Sequence, residues 1–84
     1  MLKKASLPNV LYTAVLQGRN VLQVFDVTTG IKSYSINLGN VEVINGPIVT
    51  NDKVTIVIKY ANGRVEGRVY TLPRGILSYS FTVT

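Results

Sequence analysis

Apolar and polar residues alternate along most of the chain, as they do in β-strands that bury one face. The clearest example is VTIVIKY at residues 54–60. Val54, Ile56 and Ile58 fall on one side of such a strand, and the residues between them fall on the other. Valine, isoleucine, threonine and tyrosine dominate the chain, and no segment has the apolar period of a helix. We therefore predict an all-β protein of antiparallel strands.

A first turn signal follows this strand. Asn62-Gly63 predicts a two-residue hairpin of type I′, which requires positive φ at both central residues. The chain would then return through VEGRVYTL at residues 65–72. We expect a tight hairpin at this point.

A second turn signal occurs in two places, as Leu-Pro-Arg-Gly at residues 72–75 and Val-Thr-Thr-Gly at residues 27–30. Pro73 favours the second position of a type I turn, and the final glycine suits the left-handed position of a three-residue hairpin with a bulge. Gly30 and Gly75 should thus have the same conformation. We expect valine at either position to destabilise the protein comparably.

The sequence of this turn and of the strand after it occurs twice, at a constant offset of 45 residues. GIKSYSINL at residues 30–38 corresponds to GILSYSFTV at residues 75–83. Upstream of these segments, Val24 and Val69 are an identical pair at the same offset. Such internal similarity is typical of proteins built from repeated supersecondary units.

The repeat also extends upstream of these segments. Residues 11–15 match residues 54–58 at an offset of 43, and a turn that differs by two residues accounts for the change. We therefore predict one domain, residues 1–84, made of two copies of a four-stranded unit. The first copy covers about residues 1–40 and the second about residues 41–84.

Three segments carry a family resemblance: LQVFDVTTGIKSYSI at 22–36, GPIVTNDKVTIVI at 46–58 and RVYTLPRGILSYSF at 68–81. They resemble the blade repeat of quinoprotein-type β-propellers, in which four strands include an Asp-x-x-Thr-Gly-like turn. Residues 26–30 fit that turn, whereas residues 71–75 have proline and lack the aspartate, and the chain has no tryptophan. The resemblance implies a blade-like fold and no cofactor-binding residue. More loosely, the chain resembles small virion proteins of tailed bacteriophages.

Two blade-like units do not close a propeller, which usually has about four to eight blades. Either several copies assemble, or the strands fold together into a small sandwich or barrel. Charged residues form only 15% of the chain and apolar residues 46%, so part of the surface is expected to meet other chains.

No group of residues predicts catalysis or a bound cofactor. Because the chain has no histidine, Ser33, Ser35, Ser78 and Ser80 lack the base that a serine triad needs. Asp26 and Asp52 fall in predicted turns, where aspartate caps the backbone. We predict that the protein is not an enzyme and has no catalytic, cofactor-binding or metal-binding residue.

The net charge of +5 comes from scattered residues and allows contact with a polyanion. Arg64, Arg68 and Tyr70 form the best local group for an interaction, since aromatic rings among basic residues can stack on bases. We favour the other interpretation, that the aromatic residues at repeat positions fill equivalent places in the core, because their spacing follows the repeat. These are Phe25, Tyr34, Tyr70, Tyr79 and Phe81.

These observations favour a structural or interaction protein, a subunit of a larger assembly with copies of itself or other proteins as partners. A bacteriophage virion component, such as a decoration or tail-associated subunit, is the most concrete form. The alternative is a small basic β-barrel that binds nucleic acid. The N-terminal sequence predicts no signal peptide and no membrane span, so we expect the protein in a virion or otherwise in the cytoplasm.

Overall fold

The structure is a computed structural model that describes residues 11–84, and within this range it consists of strands and turns without a helix. The all-β prediction is confirmed. The strands are β1 (Tyr12–Gln17), β2 (Val21–Asp26), β3 (Lys32–Asn37), β4 (Glu42–Thr50), β5 (Lys53–Lys59), β6 (Val65–Thr71) and β7 (Ile76–Thr82).

The strands form two antiparallel sheets in which each strand pairs with its neighbour in sequence. The first sheet has the order β1-β2-β3 and the second the order β4-β5-β6-β7. We call them unit 1 and unit 2. The two sheets stack as a sandwich rather than closing into a barrel, and the chain passes between them near residue 40, where the repeat boundary was predicted. The strand expected before β1 falls on residues 1–10, outside the described residues.

The two units share a structural irregularity as well as a sequence. The pairing of β2 with β3 shifts between Val24 and Phe25, and the pairing of β6 with β7 shifts between Val69 and Tyr70. These β-bulges stand at equivalent positions of the repeat, 45 residues apart. The offset read from the sequence therefore aligns the backbones as well.

The change of offset also has its predicted origin. Three residues connect β1 to β2, between the paired residues Gln17 and Val21. Five residues connect β5 to β6, between the paired residues Lys59 and Val65. The longer hairpin of unit 2 supplies the two extra residues.

The glycine turns have the predicted conformation but one residue more than predicted. Gly30 and Gly75 have φ of 75° and 76°, and their N–H groups donate to the carbonyls of Asp26 and Thr71 at 2.8 Å. Strand pairing resumes at the residue after each glycine, so both loops contain four residues. The expected three-residue loop is wrong because the bonds to Asp26 and Thr71 close a wider turn.

The type I′ turn at Asn62-Gly63 is also corrected. Gly63 has φ of 93°, whereas Asn62 does not have positive φ, and the loop contains three residues between Tyr60 and Arg64. The Asn62 side chain accepts the N–H of Arg64 at 2.9 Å. This local bond replaces the left-handed conformation that a two-residue hairpin would require of asparagine.

Cross-strand partners determine which side chains share a face of each sheet. In unit 1, Val24 and Ile36 lie on the same side, which we call the front face of a unit. At equivalent positions of unit 2, Val69 and Phe81 define the front face. The opposite side of each sheet is its back face, and in unit 2 it carries Ile56.

The core lies between the front of unit 1 and the back of unit 2. Its fully buried members from unit 1 alternate on the front face, and those from unit 2 alternate on the back face. The buried cluster comprises Leu22, Val24, Ile36, Leu38, Val41, Val54, Ile56, Ile58, Tyr70 and Leu72. Val69 is buried yet outside this cluster, because it lies on the front of unit 2. The two units are thus stacked front to back.

This arrangement overturns the prediction that all repeat aromatics fill the core. Tyr70 is buried, but Phe25 is only half-buried, and Tyr34, Tyr79 and Phe81 are exposed to a large extent. For Tyr79 and Phe81 the reason is that residues 11–84 supply no sheet to cover the front of unit 2. Phe25 lies on the back of unit 1, which is likewise an outer face. Tyr34 lies on the front of unit 1 as the cross-strand partner of Val24, but β3 is the edge strand of its sheet, and the side chain is 43% exposed there.

Gly75 also approaches the neighbouring unit, and this separates it from Gly30. A Cβ atom at Gly75 would overlap the side chain of Ile36, whereas a Cβ atom at Gly30 would meet open space. We expect Gly30→Ala to cost about 1 to 2 kcal/mol of stability for the left-handed backbone alone. Gly75→Ala should cost measurably more, because Ile36 must also move.

Urea unfolding of the two alanine variants checks this expectation against the wild type. Equal losses of stability would contradict the contact between the β6–β7 turn and unit 1. The structure thus predicts unequal losses of stability, whereas the sequence predicted that substitutions of Gly30 and Gly75 would destabilise the protein comparably.

Candidate interaction surface

The predicted interaction group, Arg64, Arg68 and Tyr70, lies at one side of the contact between the units. β6 presents Arg68 and Tyr70 on the back face of unit 2, which meets unit 1. The Arg68 guanidinium donates to the carbonyl of Leu38 at 3.0 Å and to the Tyr70 hydroxyl at 3.0 Å. Arg68 therefore connects the two units by a hydrogen bond.

The other donors of Arg68 are engaged within unit 2. They reach Glu66 at 3.1 Å and the Tyr60 hydroxyl at 3.1 Å, and Tyr60 in turn donates to Glu66 at 3.1 Å. The side chains of Arg68 and Glu66 are only about one-sixth exposed, at 16% and 15%. A charged pair at this depth is stabilised by such a closed set of bonds.

The electrostatics of the pair follow from the same contacts. Burial acts to raise the pKa of Glu66, but hydrogen bonds from Arg68 and Tyr60 and the nearby positive charges outweigh it, so the pKa lies below its usual value. Burial acts to lower the pKa of Arg68, and its hydrogen bonds to Tyr60, Tyr70 and Glu66 raise it above the usual range. Both groups are held in their charged forms.

Of the three predicted residues, only Arg64 offers a half-exposed charge. Its guanidinium lies 4.4 Å from the centre of the Tyr60 ring and 3.5 Å from Glu66. Tyr70 is buried and cannot stack on a base, and four of the five N–H donors of Arg68 are occupied. A role of Arg64 in contacting a partner stays a prediction.

The front of unit 2 is an apolar surface that the sequence reasoning missed. Tyr79 and Phe81 lie side by side, with ring centres 6.4 Å apart, and are 58% and 45% exposed. The Phe81 ring lies over Gly67, where a Cβ atom would overlap it. Ile48 and Val83 extend the surface on either side. The signal was available in the repeat, because Phe81 and Val83 correspond to the buried residues Ile36 and Leu38 of unit 1.

The back of unit 1 is the second exposed surface with apolar residues. Leu11, Val15 and Val27 are each about half-exposed. Their counterparts in unit 2 are Val54, Ile58 and Leu72, all of them in the core. A polar row crosses this face, in which Gln23 donates to Gln17 at 2.7 Å and accepts from Ser35 at 2.8 Å.

The remaining polar residues have local structural contacts. The Asp26 carboxylate accepts the N–H groups of Thr28 and Thr29 at 2.8 and 3.3 Å, as predicted for a turn aspartate. Asp52 instead pairs through its carboxylate with Lys53 at 3.3 Å. Within residues 11–84, no three acidic side chains lie close enough to hold a metal ion.

A surface depression of about 210 Å³ is lined by Arg19, Asn40, Val41, Glu42, Lys59, Tyr60 and Ala61.

Comparison with protein-family models and with curated proteins gives no match to this chain. The resemblance to propeller blades and to virion proteins therefore stays a prediction. No helix in residues 11–84 has the length and apolarity needed to cross a membrane. Because no relative was found, the function of the candidate surface is inferred from its own residues.

The bonding of Arg68 predicts a structural role that Arg64 does not share. Arg68→Met keeps most of the aliphatic stem but leaves the Leu38 carbonyl without this donor and Glu66 without its closest charged partner, so we expect a loss of about 2 to 3 kcal/mol in stability. Arg64→Met is the matched control and should change stability by less than about 0.5 kcal/mol. Chemical denaturation measures both, and similar losses would contradict the assignment of Arg68 to the inter-unit contact.

The lowered pKa of Glu66 predicts an acid-sensitive contribution to stability. Its contribution is fully present above the unfolded-state pKa of about 4.3 and is lost as the pH falls through the lower folded-state pKa. We expect the wild type to be more stable than Glu66→Gln at pH 7, and this difference should shrink as the pH falls below about 4. Unfolding free energies measured from pH 7 to 3 check it, and a difference that stays constant would refute it.

Proposed function

We propose that the protein is a non-enzymatic subunit of a larger protein assembly, in which it acts through surface contacts. The observation that carries this proposal is the exposure of two faces whose repeat counterparts are buried. The front of unit 2 presents Tyr79 and Phe81, and the back of unit 1 presents Val15 and Val27. Apolar patches of this kind are typical of protein–protein contact sites.

The composition supports the same proposal. Only 15% of the residues are charged, and apolar rings and aliphatic side chains stand on the exposed faces instead. A chain of 9.2 kDa buries a smaller fraction of its surface on folding than a larger chain does, so its stability is modest. Leaving additional apolar side chains in water would be unfavourable for such a protein unless a partner covers them. Burying these faces against other chains removes that surface from water.

A small virion protein of a tailed bacteriophage is the most concrete form of the proposal, and its support is the resemblance described above. Nucleic-acid binding has weaker support. The net charge of +5 favours it, but Tyr70 is buried and Arg68 is engaged in internal bonds. Protein partners therefore account better for the exposed residues.

Copurification with particles tests the virion proposal. If the protein is a virion component, it should band with intact particles in a density gradient, at a fixed ratio to the main capsid or tail protein. Washing with about 1 M salt should not remove it, because apolar contacts persist where ionic ones are screened. Its absence from washed particles would reject a place in the virion.

The same preparation separates the nucleic-acid alternative. Binding of a labelled oligonucleotide at low salt, with an affinity that falls steeply as salt is added, would favour that alternative. We expect no such binding.

A further inference from the structure

The contact between the two units is heterologous, since two different faces meet. The front of unit 1 contributes Leu22, Val24 and Ile36, and the back of unit 2 contributes Ile56 and Ile58. A stack of this kind always ends with one uncovered front and one uncovered back. Within residues 11–84, these are the front of unit 2 and the back of unit 1.

The uncovered front has the apolar pattern of the covered one. Val24 corresponds to Val69, and Ile36, which is 5% exposed, corresponds to Phe81. The cross-strand pair Leu22 and Ile36 of unit 1 becomes Gly67 and Phe81 in unit 2, where the aromatic ring extends over the glycine. One large side chain thus covers the area that two aliphatic ones cover in unit 1.

The uncovered back likewise has counterparts to the covered one. Val15 corresponds to Ile58, and Val27 corresponds to Leu72. Ile58 and Leu72 are 0% and 5% exposed, whereas Val15 and Val27 are each about half-exposed. The polar residue Gln23 stands at the position of Arg68, which bonds to unit 1 across the internal contact.

We propose that the occupant of these faces is a second copy of this chain, bound head to tail, with the front of unit 2 in one molecule packed on the back of unit 1 in the next. The inference rests on the proposed function and specifies its partner. The internal contact serves as the template, because it already joins a front to a back with the same repeat positions. Heterologous contacts either close into rings or continue as open chains.

Two single substitutions test the two faces of the proposed contact separately. Tyr79→Glu introduces a charge on the front of unit 2, and Val15→Glu introduces one on the back of unit 1. Both positions are at least half-exposed, so the fold should tolerate them. Ala61→Glu at the exposed tip of the β5–β6 hairpin is the control, because it adds the same charge away from the two faces.

Sedimentation equilibrium measures the result with the full chain. We expect the wild type and Ala61→Glu to associate at about 100 micromolar or below, and each face variant to bind itself about 30-fold more weakly or worse. Mixing the two face variants should restore one contact, since one retains its back and the other its front. The mixture should then form a 1:1 dimer that grows no further.

Three results would overturn the inference. They are a wild type that stays monomeric, a back variant that associates like the wild type, and a mixture of face variants that does not pair. Circular dichroism melts of each variant exclude loss of the fold as the cause of a negative result. A monomeric wild type that still bands with purified particles would reject self-association while leaving the proposed function intact.

Discussion

The apolar contact between the front of unit 1 and the back of unit 2 is the constraint on which the rest of the structure depends. Each sheet alone would leave a row of aliphatic side chains in water, and their burial contributes about 1.5 to 3 kcal/mol for each large residue. Leu22, Ile56 and Ile58 are fully buried only because the sheets are stacked. The chain has no cysteine and no histidine, so disulfides and histidine-bound metals cannot replace this contact.

A polar group at the side of this contact adds a directional element. Apolar packing alone would allow two sheets to slide, whereas the bond from Arg68 to the carbonyl of Leu38 joins one residue of unit 2 to one residue of unit 1. Glu66 and Tyr60 hold the guanidinium in place, so that with the bonds to Leu38 and Tyr70 four of its five N–H donors are satisfied where water is largely excluded. Arg68, which the sequence suggested as a contact for a polyanion, is thus better explained as a link between the two units.

The repeat and its period made most of the fold predictable from the sequence, because strands and left-handed glycines are specified by local residues. The β-bulges at Val24 and Val69 were not predicted, although the repeat places them at equivalent positions. The exposure of each sheet face could not be predicted in the same way. Alternation shows that Tyr79 and Phe81 share a side of β7, but it cannot show whether another sheet covers that side. The correspondence of Phe81 to the buried Ile36 indicated a core position, but Phe81 lies on an outer face of the stack and is 45% exposed. Similarly, Asn62 next to glycine predicted one turn, and a side-chain bond to the backbone selected another.

Stacking front to back explains why the two copies have diverged where they have. Positions inside the contact keep aliphatic residues on both sides, whereas the outer front has exchanged an aliphatic pair for Gly67 and Phe81, and the outer back has Thr13 in place of a buried isoleucine. If these outer faces met only water, exchange toward charged residues would remove the exposed apolar surface at little cost to the fold. The outer front instead retains aromatic rings, and the outer back retains Leu11 and Val15. This pattern is the one expected if, as we propose, the outer faces form between molecules the contact that the chain already makes within itself.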